Sequence, residues 1–124
     1  VNFVYEIDDT NVLTDEKWSA FVIEQILSNA IKYTYAGTIK IYNDKEKLYI
    51  EDTGIGIKKE DLPRIMEKGY TGYNGRQDKK ASGIGLYLSK KIMDYLGHEI
   101  SIESNVGVGT RVCIDFYKKQ MILD

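Results

Sequence analysis

Three polar side chains on one stretch, Gln25, Asn29 and Lys32, sit four and three residues apart within Glu24-Gln25-Ile-Leu-Ser28-Asn29-Ala-Ile-Lys32-Tyr33. On a helix such residues are neighbours and project from nearly one face. An amide oxygen is a hard neutral ligand suited to Mg²⁺, and a lysine beside it could neutralise phosphate charge. The solvated face of an ordinary amphipathic helix carries the same residue types, so this stretch alone does not choose. A second stretch, Asp52-Thr53-Gly54-Ile55-Gly56, follows a run that reads as a strand. A carboxylate there can accept a hydrogen bond from an exocyclic amine such as adenine's. The glycines let backbone come close to a flat ligand or turn through positive φ, or they make a plain tight turn. A third, Ser82-Gly83-Ile84-Gly85-Leu86, opens a helical pattern and exposes unpaired N–H groups suited to phosphate. It lacks the third glycine of a dinucleotide-binding loop and the Gly-Lys-Ser/Thr of a Walker loop. The fourth, Gly107-Val108-Gly109-Thr110, precedes the last strand and by itself reads as a hairpin turn.

Alternating residues over 1–7 predict a strand to carry the chain toward these positions. Asp8-Asp9-Thr10-Asn11 is turn chemistry. Thr14 precedes a long helix, with Asp15 and Glu16 suited to its positive end. Trp18, Phe21, Val22, Ile26, Leu27, Ala30 and Ile31 recur at three- and four-residue spacing, as one buried face requires. Residues 38–43 and 47–52 form two strand patterns around Asn43-Asp44-Lys45-Glu46, a hairpin. Asp61-Leu-Pro-Arg predicts a short helix with Pro63 in its first turn. Periodicity then disappears over 68–82, which predicts a long loop of the kind that is often functional. A second strong helix runs from Gly83 through Ile84, Leu86, Leu88, Ile92, Met93 and Leu96, closed by Gly97. Strands around 100–103 and 110–117 follow. The order implies one α/β domain over 1–124: a two-layer sandwich with a mixed, mostly antiparallel sheet of about five strands and about three helices on one face.

The chain has 124 residues, 43% of them hydrophobic and 29% charged, in keeping with one soluble domain. A net charge of −2 argues against a nucleic-acid footprint. No run approaches the length needed to span a bilayer, and no signal peptide opens the chain. It starts at Val1 rather than Met, as a piece of a longer protein would. Cys113 stands alone and has no disulfide partner; its place in the run Val112, Ile114, Phe116 suggests packing.

Taken together and in this order, the four stretches resemble the GHKL ATPase superfamily. Asn29-Ala-Ile-Lys32-Tyr33, Asp52-Thr-Gly-Ile-Gly-Ile57 and Gly83-Ile-Gly-Leu-Tyr-Leu-Ser-Lys90 look like the catalytic domain of bacterial sensor histidine kinases. The resemblance runs from Val1 to Phe116. Lys68-Gly-Tyr-Thr-Gly-Tyr-Asn-Gly75-Arg76 and the Tyr87 insertion are similar to the short-sensor kinases of Gram-positive bacteria. The resemblance implies ATP and Mg²⁺, with Asn29 as metal ligand, Gln25 in contact with magnesium or phosphate, Lys32 facing the phosphates and Tyr33 against the base. It implies that Asp52 bonds the adenine amine with support from Thr110. Gly54 and Gly56 would make room for the purine before Ile57. Gly83, Ile84, Gly85 and Leu86 would hold the phosphates under a lid at 68–82, from which Lys68 or Arg76 reaches the γ-phosphate. Gln25 stands where the family often has a first Asn, and Met66 where Phe is common.

The same resemblance implies partners outside this chain. These are a helical dimerisation domain bearing the phosphoacceptor histidine, and a response regulator. The parent would be a homodimeric, membrane-bound sensor with this domain in the cytoplasm, the domain itself being monomeric. His98 in the turn Leu96-Gly97-His98-Glu99 is expected as a surface or strand-edge residue, not an acceptor. Rival readings are a hydrolase of the superfamily, an anti-sigma-type serine kinase and a degenerate nucleotide-binding module. The hydrolases place a general-base glutamate where this chain has Gln25, and an amide cannot take a proton from water.

Overall fold

The structure is a computed structural model that describes residues 1–67 and 84–117. The segment 68–82 expected as a lid, with Lys68, Arg76 and also Gly83, lies outside the described residues. Strands β1 (Asn2–Glu6), β2 (Thr38–Asp44), β3 (Lys47–Asp52), β4 (Glu99–Asn105) and β5 (Gly109–Asp115) form one sheet in the order β1-β2-β3-β5-β4. Only the β1–β2 pair is parallel; the other three are antiparallel, so the sheet is mixed and mostly antiparallel as expected. Helices α1 (Glu16–Tyr33) and α2 (Ile84–Leu96) pack on each other, α1 against β3 and α2 against β4. The expected third helix is a single 3₁₀ turn, Leu62–Arg64, with Pro63 inside it. The proline cannot supply the N–H that would extend it.

Helix α1 starts where its chemistry allows. Asp15 is the N-cap, and its carboxylate accepts the Trp18 N–H at 2.9 Å. Helix α2 ends in a Schellman motif: Gly97 takes φ +80°, its N–H reaches the Asp94 carbonyl, and the His98 N–H reaches the Met93 carbonyl at 2.8 Å. The β2–β3 hairpin turns on Lys45 and Glu46, with Lys45 at φ +55°.

The core comprises Val22, Ile26 and Ala30 from α1, Met93 from α2, and Ile39, Ile41, Ile50, Ile100, Val112, Ile114 and Phe116 from the sheet and its end. Several expectations give way here. Trp18 and Ile31 are 52% and 49% exposed, and Leu88 is exposed too. The stripe of α1 that meets the sheet is narrower than the apolar stripe in the sequence; Ser19, Val22, Ile26 and Ala30 are its buried residues. Every residue of β1, at one edge of the sheet, is exposed, whereas β4 at the other edge buries Ile100. His98, expected at the surface, is buried: its Nε2 lies 2.8 Å from the Thr14 hydroxyl and its ring meets the edge of Phe116. Cys113 is out of phase with Val112 and Ile114. It pairs with Tyr49 on the sheet's other face and is half-buried there.

Candidate functional site

Asp52 ends β3 at a point where the backbone must turn away from the sheet. Its side chain is 8% exposed, and its Oδ1 accepts N–H bonds from Gly54 at 2.8 Å and Thr110 at 3.2 Å. Burial raises the carboxyl above its ordinary range. The two N–H donors work in the opposite direction, and neighbouring Glu51 adds a smaller upward push. The first effect wins, so the protein holds this carboxylate at a cost, with one oxygen pinned by backbone.

The loop after Asp52 is stitched on two sides. The Ile55 N–H reaches the Tyr33 carbonyl at the end of α1, and the Ile55 carbonyl receives the Gly107 N–H. The Ile57 N–H reaches the Ser104 hydroxyl at 2.7 Å. Glycine is needed where these segments meet. A Cβ on Gly54 would stand 2.3 Å from the Tyr33 carbonyl oxygen, and one on Gly56, at φ +78°, 2.2 Å from that of Asn105. Protein fills those spaces, so these glycines permit loop-on-helix and loop-on-hairpin contact rather than clearing room for a ligand on those sides. Gly109 presses on the Asp52 backbone in the same manner.

Beside this loop opens a cleft of about 300 Å³, lined mostly by apolar groups. Ile26 and Ala30 from α1, Ile50 and Val112 from the sheet, and Ile55 form its walls, with Asp52 and Thr110 among the polar groups that line it. An apolar slot with a few polar groups converging on it suits a flat heteroaromatic ligand. Of the residues singled out in the sequence, Asn29, Tyr33, Asp52, Gly56, Ile57, Leu86 and Thr110 come together on this cleft. Gln25, Lys32 and Gly54 are not among its lining residues. The helix presents 26, 29, 30 and 33 to the cleft, so Gln25 and Lys32 flank that stripe. Ile84 and Gly85 are the first residues of α2.

Sequence reasoning missed Ser104 and the rim formed by Tyr35, Lys58, Asp61 and Ile65. A signal existed for Ser104. It continues the inward phase of Ile100 and Ile102 along β4, where a polar residue needs a reason.

Residues 14–120 match the family described as histidine kinase-, DNA gyrase B-, and HSP90-like ATPase. The chain is similar to the sensor protein kinase GraS of Staphylococcus aureus, 43% identical over 124 residues, and to the sensor protein BceS of Halalkalibacterium halodurans, 41% identical over 123. These alignments cover 97% and 96% of this chain but only 36% and 37% of those proteins, so the chain spans just over a third of their length. Among solved structures, the catalytic domain of histidine kinase ThkA superposes with a TM-score of 0.76 at 26% identity, over 91% of this chain and 77% of that one. The mycobacterial sensor histidine kinase MprB superposes at 0.75 and 21% identity, over 91% and 78%, which supports the fold. With its match running through most of its length, the chain belongs to the histidine kinase-, DNA gyrase B- and HSP90-like ATPase family, as a catalytic ATP-binding domain of the sensor-histidine-kinase type.

Proposed function

We propose that this domain seats the adenine of MgATP in the cleft and donates the γ-phosphoryl group to a histidine on a separate helical domain, for onward transfer to a response regulator. The observation that carries the reading is the buried Asp52 carboxylate, fixed by two backbone N–H groups beside an apolar slot of about 300 Å³. In this reading Asp52 accepts from the exocyclic amine of adenine, Thr110 supports it, and Tyr33 covers the base. Asn29, on the cleft wall, offers an amide oxygen to Mg²⁺. Among the described residues no three His, Cys, Asp or Glu side chains gather to hold a metal. When bound, the ion neutralises charge on the phosphates. Lys32 and Gln25 stand one step round the helix, toward where the phosphates would extend, and residues 68–82 are the lid in this reading. The whole 124-residue chain forms the one catalytic unit of a longer, homodimeric membrane sensor. Among the described residues no helix is long and apolar enough to cross a membrane.

Two observations favour transfer to a separate domain over hydrolysis or self-phosphorylation. Glu24, the carboxylate nearest the hydrolases' general-base position, is exposed, and Gln25 occupies that position with an amide. His98, the sole histidine, is buried against Phe116 and Thr14. Calorimetric titration with MgATP and MgGTP tests the site: ATP binds, GTP does not, and Asp52→Ala weakens ATP by roughly 5- to 150-fold. Acid-labile phosphohistidine on a supplied dimerisation domain, absent from this chain alone, tests the transfer. Equal binding of both nucleotides, indifferent to Asp52, defeats the proposal.

A further inference from the structure

Ser104 occupies a junction that nothing in the family resemblance assigns. Its Oγ lies 2.7 Å from the Ile57 N, 3.0 Å from the Gly109 carbonyl oxygen and 2.8 Å from the Thr110 Oγ1. Those three partners belong to the loop after Asp52, the start of β5, and a residue on the cleft wall whose N–H also holds Asp52. A hydroxyl has one proton and two lone pairs. The amide of Ile57 can only donate and the carbonyl of Gly109 can only accept, so one arrangement satisfies all three contacts. Ser104 gives its proton to Gly109 and receives one from Ile57; the Thr110 hydroxyl must therefore donate its own proton to Ser104.

We propose that Ser104 is a positioning residue for base selection, orienting Thr110 so that its hydroxyl offers only lone pairs to the cleft. The inference rests on the proposed function, that the cleft takes the base of ATP. Asp52 as a carboxylate also accepts only, so the polar end of the cleft becomes an acceptor surface. A purine with an amine at position 6 matches that surface. At position 6 a 6-oxo purine brings an acceptor against acceptors, directly or through a bridging water, and loses a hydrogen bond at a buried site; its N1 changes the other way, from acceptor to donor, so the selection requires that Asp52 and Thr110 face position 6. Without the Ser104 hydroxyl, the Thr110 proton is free to turn into the cleft and meet that oxygen.

The experiment measures ATP and ITP affinities by calorimetry for the whole chain and its variants, with thermal melts alongside. Ser104→Ala lowers the ATP-to-ITP affinity ratio by roughly 5- to 10-fold, whereas Ser104→Thr, which keeps the hydroxyl, restores it. Thr110→Val lowers the ratio too, and adding Ser104→Ala to it changes the ratio no further. A structural role alone would depress the melting temperature and weaken both nucleotides equally, and an unchanged ratio in Ser104→Ala overturns the inference. Should Ser104→Ala fail to fold, Thr110→Val against Thr110→Ser decides, and an unchanged ratio in Thr110→Val again overturns it. A parent chain that binds neither nucleotide sinks the proposed function and this inference together, which separates that failure from the others.

Discussion

The two faces of the β3–β5 pair are built from alternate residues of the same strands, yet they handle polar groups in opposite ways. Toward the helices lie Ile50 opposite Val112 and Asp52 opposite Thr110. Away from them, Lys40, Glu51, Arg111 and Glu103 stand side by side across four strands with signs alternating, around a stacked Tyr42–Tyr49 pair. Arg111 reaches Glu103 at 2.6 Å and lies over the Tyr49 ring, while Lys40 reaches Glu6 at 3.4 Å. The outer face has many charges, each half-wet and individually cheap. The inner face has one buried carboxylate, with an oxygen committed to two backbone donors. Access to water makes the difference, and the face that tolerates fewest polar groups is the one where a polar group can select a ligand.

Substitutions on either side sharpen this contrast. Ile50→Ala on the inner face should cost about 2–5 kcal/mol in urea denaturation, the range for a buried large-to-small change. A cost as small as that of outer-face changes would break the comparison. Asp52→Asn comes next and should divide function from stability. ATP affinity falls, by roughly 1–3 kcal/mol, because an amide N–H₂ now faces the base amine. The ligand-free protein becomes more stable at neutral pH, because burial disfavours the charged carboxyl in the folded state.

The pH dependence follows with the same sign. The folded protein holds the Asp52 proton more tightly than the unfolded chain does. This group's contribution therefore improves as pH falls through its raised folded value toward the ordinary 3.8, and worsens as pH rises through that window. Melts of parent and variant from pH 4 to 7 should differ most at neutral pH and draw together as pH falls toward the ordinary 3.8. Parallel curves would show that the carboxyl is not strained.

Arg111→Ala should cost only about 0.2–1 kcal/mol, less in high salt, and leave ATP affinity alone. The smallest effect belongs to Cys113→Ser. Burial raises this thiol, which keeps it protonated beside Tyr49, and equilibrium unfolding should shift by less than about 0.5 kcal/mol. A large loss at either position would mean that the outer face is a second core.

Much of this was legible in the sequence because period and punctuation survive folding. Both long helices, all five strands and the closing role of Gly97 follow from local spacing. Asn29 and Asp52 stand out by their chemistry, Tyr33 and Thr110 through the resemblance, and all four meet on one cleft. What spacing could not supply was coverage. Trp18 and Ile31 belong to the apolar stripe of α1, yet each is left about half exposed. His98 looked like a turn residue, and only the return of Thr14 and Phe116 to its side buries it. Gln25 shares a helix face with Asn29, yet a rotation of one residue separates lining a cleft from flanking it. Ser104 shows in the sequence only as a polar residue in the inward phase of β4; its three partners come near once β3, β5 and β4 have paired.

The bond from the Thr110 N–H to Asp52 spans 58 residues of sequence, whereas the β2–β3 and β4–β5 pairings are hairpins that close short loops. Local hairpins nucleate early, and pairings between distant segments wait on the entropy of a long closure. The floor of the cleft is therefore expected to close after the hairpins, when β5 docks on β3, and folding kinetics test whether that docking falls beyond the rate-limiting barrier. A ligand held across that seam should act as a latch on the finished molecule. At ATP a hundredfold above its dissociation constant, mass action supplies about 2.7 kcal/mol. In stopped-flow chevrons nearly all of it should appear as slower unfolding, with the refolding limb unmoved.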